Sequence, residues 1–284
     1  MLKANLATAL FVAVSAFAAD PWQSVDATLQ QQGKVVAGDV HRYGWPRRDL
    51  KVTIGKVRVE PALGLGSWAA FSSDMVMGDL VLLPAEVERV VSALQAGGFE
   101  IGAIHNHLSG ESPTIAYVHY AGHGDPPRLA RTLRDALVTT ATPMKPGAPA
   151  ATSPLDDAAF KIISDVLQRK GTQNGRVLQF SIPRAAAVTE NSMTILPSMG
   201  VATAVNFQTA GDDVATTGDF VLIADEVNPV VRELQAHGIR ATALHSHMLR
   251  ESPRLFFLHF WGVGKPRTVA EGIQAALTKV DVAR

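Results

Sequence analysis

The chain repeats itself, and a repeat of domain length restricts the possible fold more than any other property of the sequence. Gly78-Asp79-Leu80-Val81-Leu82 returns as Gly218-Asp219-Phe220-Val221-Leu222, Glu86-Val87 as Glu226-Val227, and Leu94-Gln95-Ala96 as Leu234-Gln235-Ala236, all on one offset. The correspondence continues through Glu111-Ser112-Pro113 and Glu251-Ser252-Pro253 to Gly122-x-Gly124 and Gly262-x-Gly264. Upstream it thins but still pairs Pro46-Arg47 with Pro183-Arg184, Pro61 with Pro197, and Phe71 with Phe207. Units this long are domains, not solenoid repeats. Thr139 to Pro154, rich in Ala, Pro, Thr and Gly, has neither helical nor strand periodicity and has the composition of a linker. The chain is therefore expected to hold a first repeat domain over 20–139, a linker over 140–154 and a second repeat domain over 155–284.

Within each unit the hydrophobic period changes along the chain. Val87, Val90, Val91 and Leu94 stand at helical spacing between Pro84 and Ala96, and Gly97-Gly98 supplies the stop. A second helix is expected over Pro127 to Val138, where Leu129, Leu133 and Leu137 share a face, with Val269, Ile273 and Leu277 as its counterpart. Between them, Glu100 to Leu108 alternates as a strand that puts Ile101, Ala103, His105 and His107 on one face, and Ile115, Tyr117 and His119 do the same on the next strand. Leu255, Phe257 and His259 repeat that pattern. The expected class is α+β, as two tandem copies of a mixed α+β domain.

Residues 1–19 read as a signal peptide: Lys3 precedes an apolar stretch from Leu6 to Phe17, and Ala16-Phe17-Ala18 suits cleavage. A periplasmic or secreted location is expected, with no membrane association after signal cleavage. A formal net charge of zero without a long basic run speaks against nucleic acid as a partner. With no cysteine in the chain, any metal must be held by nitrogen and oxygen ligands.

Six of the nine histidines fall into two matching sets, His105/His107/His119 and His245/His247/His259. On a strand, His-x-His places two imidazoles on one face, and a third histidine on the neighbouring strand brings three nitrogens together with a fourth position open. That is the arrangement of a catalytic zinc site, although imidazole also suits other divalent transition metals. One metal site per repeat is expected. Glu111 and Glu251, in the turn joining the histidine strands, are candidates for a fourth ligand, an orienting partner or a general base; alternatively they cap turn amides. Arg47 and Arg184 either clamp a substrate carboxylate or serve as structural ion-pair partners. Asp49 faces Ala186 in the second copy, and His123 and Asp125 face Val263 and Lys265, so these mark differences between the units. The Gly-x-Gly pairs lack the spacing of a dinucleotide or phosphate loop, and no Gly-x-Ser-x-Gly occurs.

Pro46-Arg47-Arg48-Asp49-Leu50, Gly78-Asp79-Leu80, His105-Asn106-His107 with His119, and His245-Ser246-His247 with His259 resemble a bacterial family of exported proteins that includes the mycobacterial lipoproteins LppY and LpqO. Those lipoproteins carry a lipid-attachment cysteine, which this chain lacks, so anchoring is not implied. The histidine spacing alone is similar to the zinc site of the acetolactate decarboxylase superfamily. That likeness implies a mixed α+β fold with zinc held by three histidines, but no particular reaction. The expected function is a metal-dependent hydrolase of esters or amides, or a lyase, acting on a small substrate with a carboxylate group. The competing expectation is a non-catalytic periplasmic module that binds or senses a metal or ligand.

Overall fold

The computed structural model describes residues 21–145, 147 and 151–283, so the expected signal peptide lies outside the described residues. The first half begins with α1 (Pro21–Leu29), β1 (Lys34–Val36) and β2 (Val40–Pro46), followed by the short β3 (Thr53–Ile54) and β4 (Val57–Arg58) and the single turn α2 (Pro61–Gly64). The pair β5 (Gly66–Ser72) and β6 (Met75–Leu82) leads into α3 (Pro84–Ala96), β7 (Glu100–His105), β8 (Glu111–Ser112), β9 (Ala116–His123) and α4 (Pro126–Leu137). The second half repeats this order as α5 (Pro154–Leu167), β10 (Thr172–Asn174), β11 (Val177–Pro183), β12 (Val188–Glu190), β13 (Met193–Ile195) and a 3-10 turn, Pro197–Met199. It ends with β14 (Ala202–Ala210), β15 (Asp213–Leu222), α6 (Ala224–Ala236), β16 (Arg240–His245), β17 (Glu251–Ser252), β18 (Phe256–Gly264) and α7 (Pro266–Leu277).

Each half forms a six-stranded sheet of one topology, β1-β2-β5-β6-β9-β7 and β10-β11-β14-β15-β18-β16, with a three-stranded satellite, β4-β3-β8 or β13-β12-β17. Every pairing is antiparallel. The α+β class and the tandem arrangement thus hold, and local chemistry explains the element ends. Pro84 opens α3, the Glu86 carboxylate accepts from the Leu83 N–H at 2.8 Å, and Gly98 at φ +85° terminates it. Asp125, one of the residues unique to the first copy, caps α4 by accepting from the Arg128 N–H at 2.9 Å.

Both faces of each main sheet are covered, which is why β6 is buried from end to end. Val118 and Tyr120 on β9 pack with Leu129, Leu133 and Leu137 of α4 in one apolar core, and Phe220, Leu258, Ile273 and Leu277 do the same in the other half. The alternate residues look the other way, toward the second copy. Met75 and Met77 of β6 share an apolar cluster with Met199, Val221 and Phe257, while Leu63, Val81 and Tyr117 share another with Ala215 and Trp261. The order of layers is therefore helices, sheet, sheet, helices, with a seam between the two sheets. Segments of each copy cross the seam: Gln179 and Asn206 donate to the carbonyls of Ala62 and Leu63 at 2.9 and 3.1 Å, and Arg42 donates to the Ser198 carbonyl.

Three local expectations change. The strand expected over Glu100 to Leu108 ends at His105, after which the chain bends away from the ladder with β9. His107 consequently lies beyond the strand and reaches the same face by the bend, not by alternation. The helix expected from Pro127 starts at Pro126, and α5 already begins at Pro154, the last residue expected in the linker.

Candidate metal centre

The two histidine sets do not form two separate sites: their rings interleave across the seam. His105 stacks on His245 with centroids 3.7 Å apart, His107 on His259 at 3.7 Å, and His119 on His247 at 3.6 Å. Tyr117 and Phe257 continue the outer two stacks, lying 3.4 Å from His107 and His247 respectively. Exchange of the two copies maps this arrangement onto itself, as expected for an isologous interface inside one chain. The two sets thus lie in one cluster to which both repeats contribute; within it His245/His247/His259 stands as expected, while the group confined to the first repeat is Asp79/His107/His119, without His105.

Two carboxylates complete the cluster. Asp79 on β6 is the register partner of His119 and lies 3.4 Å from Nε2 of His107. Asp219 on β15 is the register partner of His259 and lies 3.1 Å from Nε2 of His247. Four groups of three have ligand atoms within 4.8 Å of one another: Asp79/His107/His119, His245/His247/His259, His105/His119/His245 and His105/His107/His259. Two of these sets mix histidines from both repeats.

The residues fit a cation, and the reason lies in their unmet needs. Nε2 of His107, His119 and His247, both ring nitrogens of His245, Nδ1 of His105, and Oδ1 of Asp79 and Asp219 are buried with no hydrogen-bond partner among the described residues. Each such atom costs on the order of 1–3 kcal/mol when unpaired, so a concentration of them in one layer calls for a ligand. Burial, with the neighbouring imidazoles second, pushes the His105 ring down to about 3, and burial likewise takes His247 to about 3 and His259 to about 4. Burial holds His107, His119 and His245 below the ordinary range too. All six therefore present neutral imidazoles, the form that binds metals. Nδ1 of His259 sits 2.8 Å from the Gly218 carbonyl, which places its proton there and leaves Nε2 as a donor to a metal. Asp219 is raised to about 6 by burial, and Asp79 is raised by burial and by the like charge of Asp219 across the seam. Two facing buried carboxylates are the electrostatic complement of a cation.

Elsewhere the expected site residues take up structural duties. Arg47 is completely buried and donates to Asp49 at 2.9 Å, to Glu86 at 2.8 Å and to the Val81 carbonyl at 2.8 Å. Arg184 donates in the same way to Glu226 and to the Val221 carbonyl. Both guanidinium groups are thus committed to ion pairs that tie the sheet to the helix after it, and neither is left to clamp a substrate. Glu251 accepts from the Leu255 N–H at 3.0 Å and pairs with Arg254, and Glu111 accepts from the Ile115 N–H at 3.4 Å. Of the alternatives open for these glutamates, capping of the turn is the one the structure displays; neither belongs to a ligand group. The carboxylate that does, Asp79, and its counterpart Asp219 beside His247 were visible as the repeated Gly-Asp, but strand alternation alone gave no reason to bring them beside the histidines.

The cluster opens into a cavity of about 650 Å³ lined by His107, His119, His247, His259, Asp79 and Asp219. Arg42, Lys34 and Trp68 line one end of it, and Glu60, Gln179 and Asn206 line the other.

Both halves of the chain match one family, described as Domain of Unknown Function (DUF1259), over residues 23–139 and 161–279. No curated protein matches. Among solved structures, a trimeric bacterial microcompartment shell protein, PduB, aligns at 12% identity over 87% of this chain and 93% of that one, but its TM-score of 0.21 is too low to inform the fold or function. These matches carry neither the lipoprotein likeness nor the acetolactate decarboxylase likeness.

Proposed function

Taking as premise that the chain belongs to the DUF1259 family, in two tandem copies, we propose that it is a metal-dependent enzyme with one centre built jointly by both copies. Its proposed reaction is hydrolysis of an ester or amide, or a related lyase step, on a small anionic substrate. The observation that carries this reading is the layer of neutral imidazoles, several with an unpaired buried ring nitrogen, and raised carboxylates at the wall of a 650 Å³ cavity. The signal-like residues 1–19 support work outside the cytoplasm.

Asp79/His107/His119 and His245/His247/His259 share no residue, so the cluster has ligands for two ions at once, zinc or another divalent transition metal that a nitrogen-and-oxygen set suits. A divalent ion held there supplies Lewis acidity toward a carbonyl or phosphoryl oxygen and acidifies water. The chain's own groups do the rest. Asp219, at about 6, lies where a carboxyl can both take and return a proton near neutral pH. Asp79 is raised as well, by burial and by the like charge of Asp219. Tyr117 is fixed by donating to the Gly64 carbonyl at 2.7 Å and keeps the His107 ring in its stack. A purely storing role leaves the cavity and the proton-poised carboxyl without a purpose.

The test is to strip the chain with a chelator, reload it with zinc and assay carboxylate-bearing nitrophenyl esters. Zinc-dependent turnover that disappears in Asp219→Asn, while that variant still binds zinc, is the expected result. Zinc binding no tighter than that of a His107→Ala/His247→Ala double variant overturns the reading.

A further inference from the structure

The two ends of the cavity are related by the repeat but differ in chemistry. Arg42 and Lys34 are register partners on β2 and β1 and so share the face that lines the cavity. The Arg42 guanidinium lies over the Trp68 ring, 4.6 Å from its centroid, and donates a hydrogen bond to the Ser198 carbonyl. Among the described residues no carboxylate pairs with either cation, although Arg42 is half-buried and burial lowers its pKa. An unpaired guanidinium held off water by an aromatic face is a costly arrangement unless an anion meets it.

At the other end these residues are gone. Counting back from Pro46 and Pro183, Arg42 corresponds to Gln179; the strand registers then match Lys34 to Thr172 and Trp68 to Ala204. Gln179 spends its amide on the Ala62 carbonyl, and Arg176 there is held by Asp156 and Thr209. The cationic end also adjoins the cluster: a Cβ on Gly200 would press on the Trp68 ring at 2.7 Å, and the backbone of Gly200 hydrogen-bonds His247.

We propose that Arg42, with Lys34 and Trp68, forms the carboxylate-binding end of the cavity, so that a small carboxylate-bearing molecule enters with one fixed polarity and its far end toward His247 and Asp219. This replaces Arg47 and Arg184 as the anion-recognising residues and rests on the proposed function for the identity of the reacting end. The other end, with Glu60, Gln179 and an Arg176 already paired with Asp156, offers no unpaired counterpart of Arg42. One substrate orientation is thereby selected in a site whose ligands are otherwise symmetric.

The test is calorimetric titration of succinate into the metal-free full-length chain at low salt, with succinamide as the uncharged control. Arg42→Gln copies the residue that the sister sheet already tolerates at this position. It is expected to weaken succinate binding about tenfold or more, Arg42→Lys to weaken it less, and Gln179→Ala to leave it unchanged. Zinc content, measured separately, is expected to be the same in all three. Succinate binding in Arg42→Gln within twofold of the parent, or equal binding of succinamide by the parent, overturns the proposal. Because no metal is present in the titration, failure of the metal-centre reading shows in the zinc measurement and not here.

Discussion

The Nε2 atoms of His105 and His259 stand 3.4 Å apart although 154 residues separate them along the chain. One belongs to the first repeat and the other to the second, so this contact between histidine nitrogens crosses the seam between the copies. Duplication here has produced one site from two halves. Two of the ligand groups, Asp79/His107/His119 and His245/His247/His259, lie within one repeat each, whereas His105/His119/His245 and His105/His107/His259 draw on both.

Shared ligands make the metal content non-additive. His259→Ala removes a member of two groups, one of them mixed, and is expected to lower zinc occupancy by more than half. Two independent sites would lose one equivalent for His107→Ala, one for His247→Ala and both for the double variant. Elemental analysis after dialysis against buffered zinc distinguishes the cases, and strict additivity would count against the composite centre.

Much of this was legible from local pattern. The helix over Pro84–Ala96 follows from its apolar spacing and flanking Pro and Gly, and the six histidines follow from their repetition at matching positions. What local pattern does not carry is which face of one copy meets the other. Strand alternation correctly put Tyr117 and His119 on one face, but whether that face meets solvent or another sheet depends on apolar residues such as Met77 and Phe257 finding each other across the seam. The two readings of the arginines stayed open for a related reason. A Pro-Arg at the head of each copy looks alike whether the guanidinium faces a substrate or a buried glutamate, and only the position of Glu86 and Glu226 on the following helix decides it.

Acid is expected to destabilise the metal-free chain. The folded pKa of His259 is about 4, and of His105 and His247 about 3, against 6.5 unperturbed. Below 6.5 the unfolded chain binds protons that the folded cluster refuses, so stability is complete above that pH and falls as pH drops toward 4. Each histidine contributes a slope of about 1.4 kcal/mol per pH unit in this window. Asp219 acts in the opposite sense, because its raised value of about 6 is a cost that protonation relieves below that pH, but the histidines outnumber the carboxylates. Denaturant melts at pH 7 and pH 5 check the sign, and a flat profile would contradict the buried neutral cluster.

Loss of the buried Arg47 charge should damage the fold and spare the metal. Arg47→Ala leaves Glu86 buried without its partner and strips three hydrogen bonds from Asp49, at an expected cost of about 3–5 kcal/mol. Arg184→Ala, which abandons Glu226 alone, should cost less. Urea titration measures both. Zinc affinity of the folded fraction is expected to stay at the parent value, whereas a role in the site would lower it at unchanged stability.

The seam can be tested at Gly102, which lies on β7 where its ladder with β9 shifts. A Cβ there would run into the carbonyl oxygen of His247, a backbone atom that cannot swing aside. At the corresponding shift in β16 stands Thr242, whose hydroxyl donates to the carbonyl of His107 at 2.6 Å. One copy thus approaches the other by lacking a side chain and the other by hydrogen-bonding through one, both against the backbone of a histidine in the cluster. Gly102→Ala must push His247 and its ring away from His119, and is expected to lower stability by about 1–3 kcal/mol together with zinc affinity. Thr242→Val, which keeps the volume and loses one hydrogen bond, should cost about 1 kcal/mol with little change in zinc binding. Equal effects of the two substitutions on zinc affinity would mean that the position of the His247 backbone does not govern the centre.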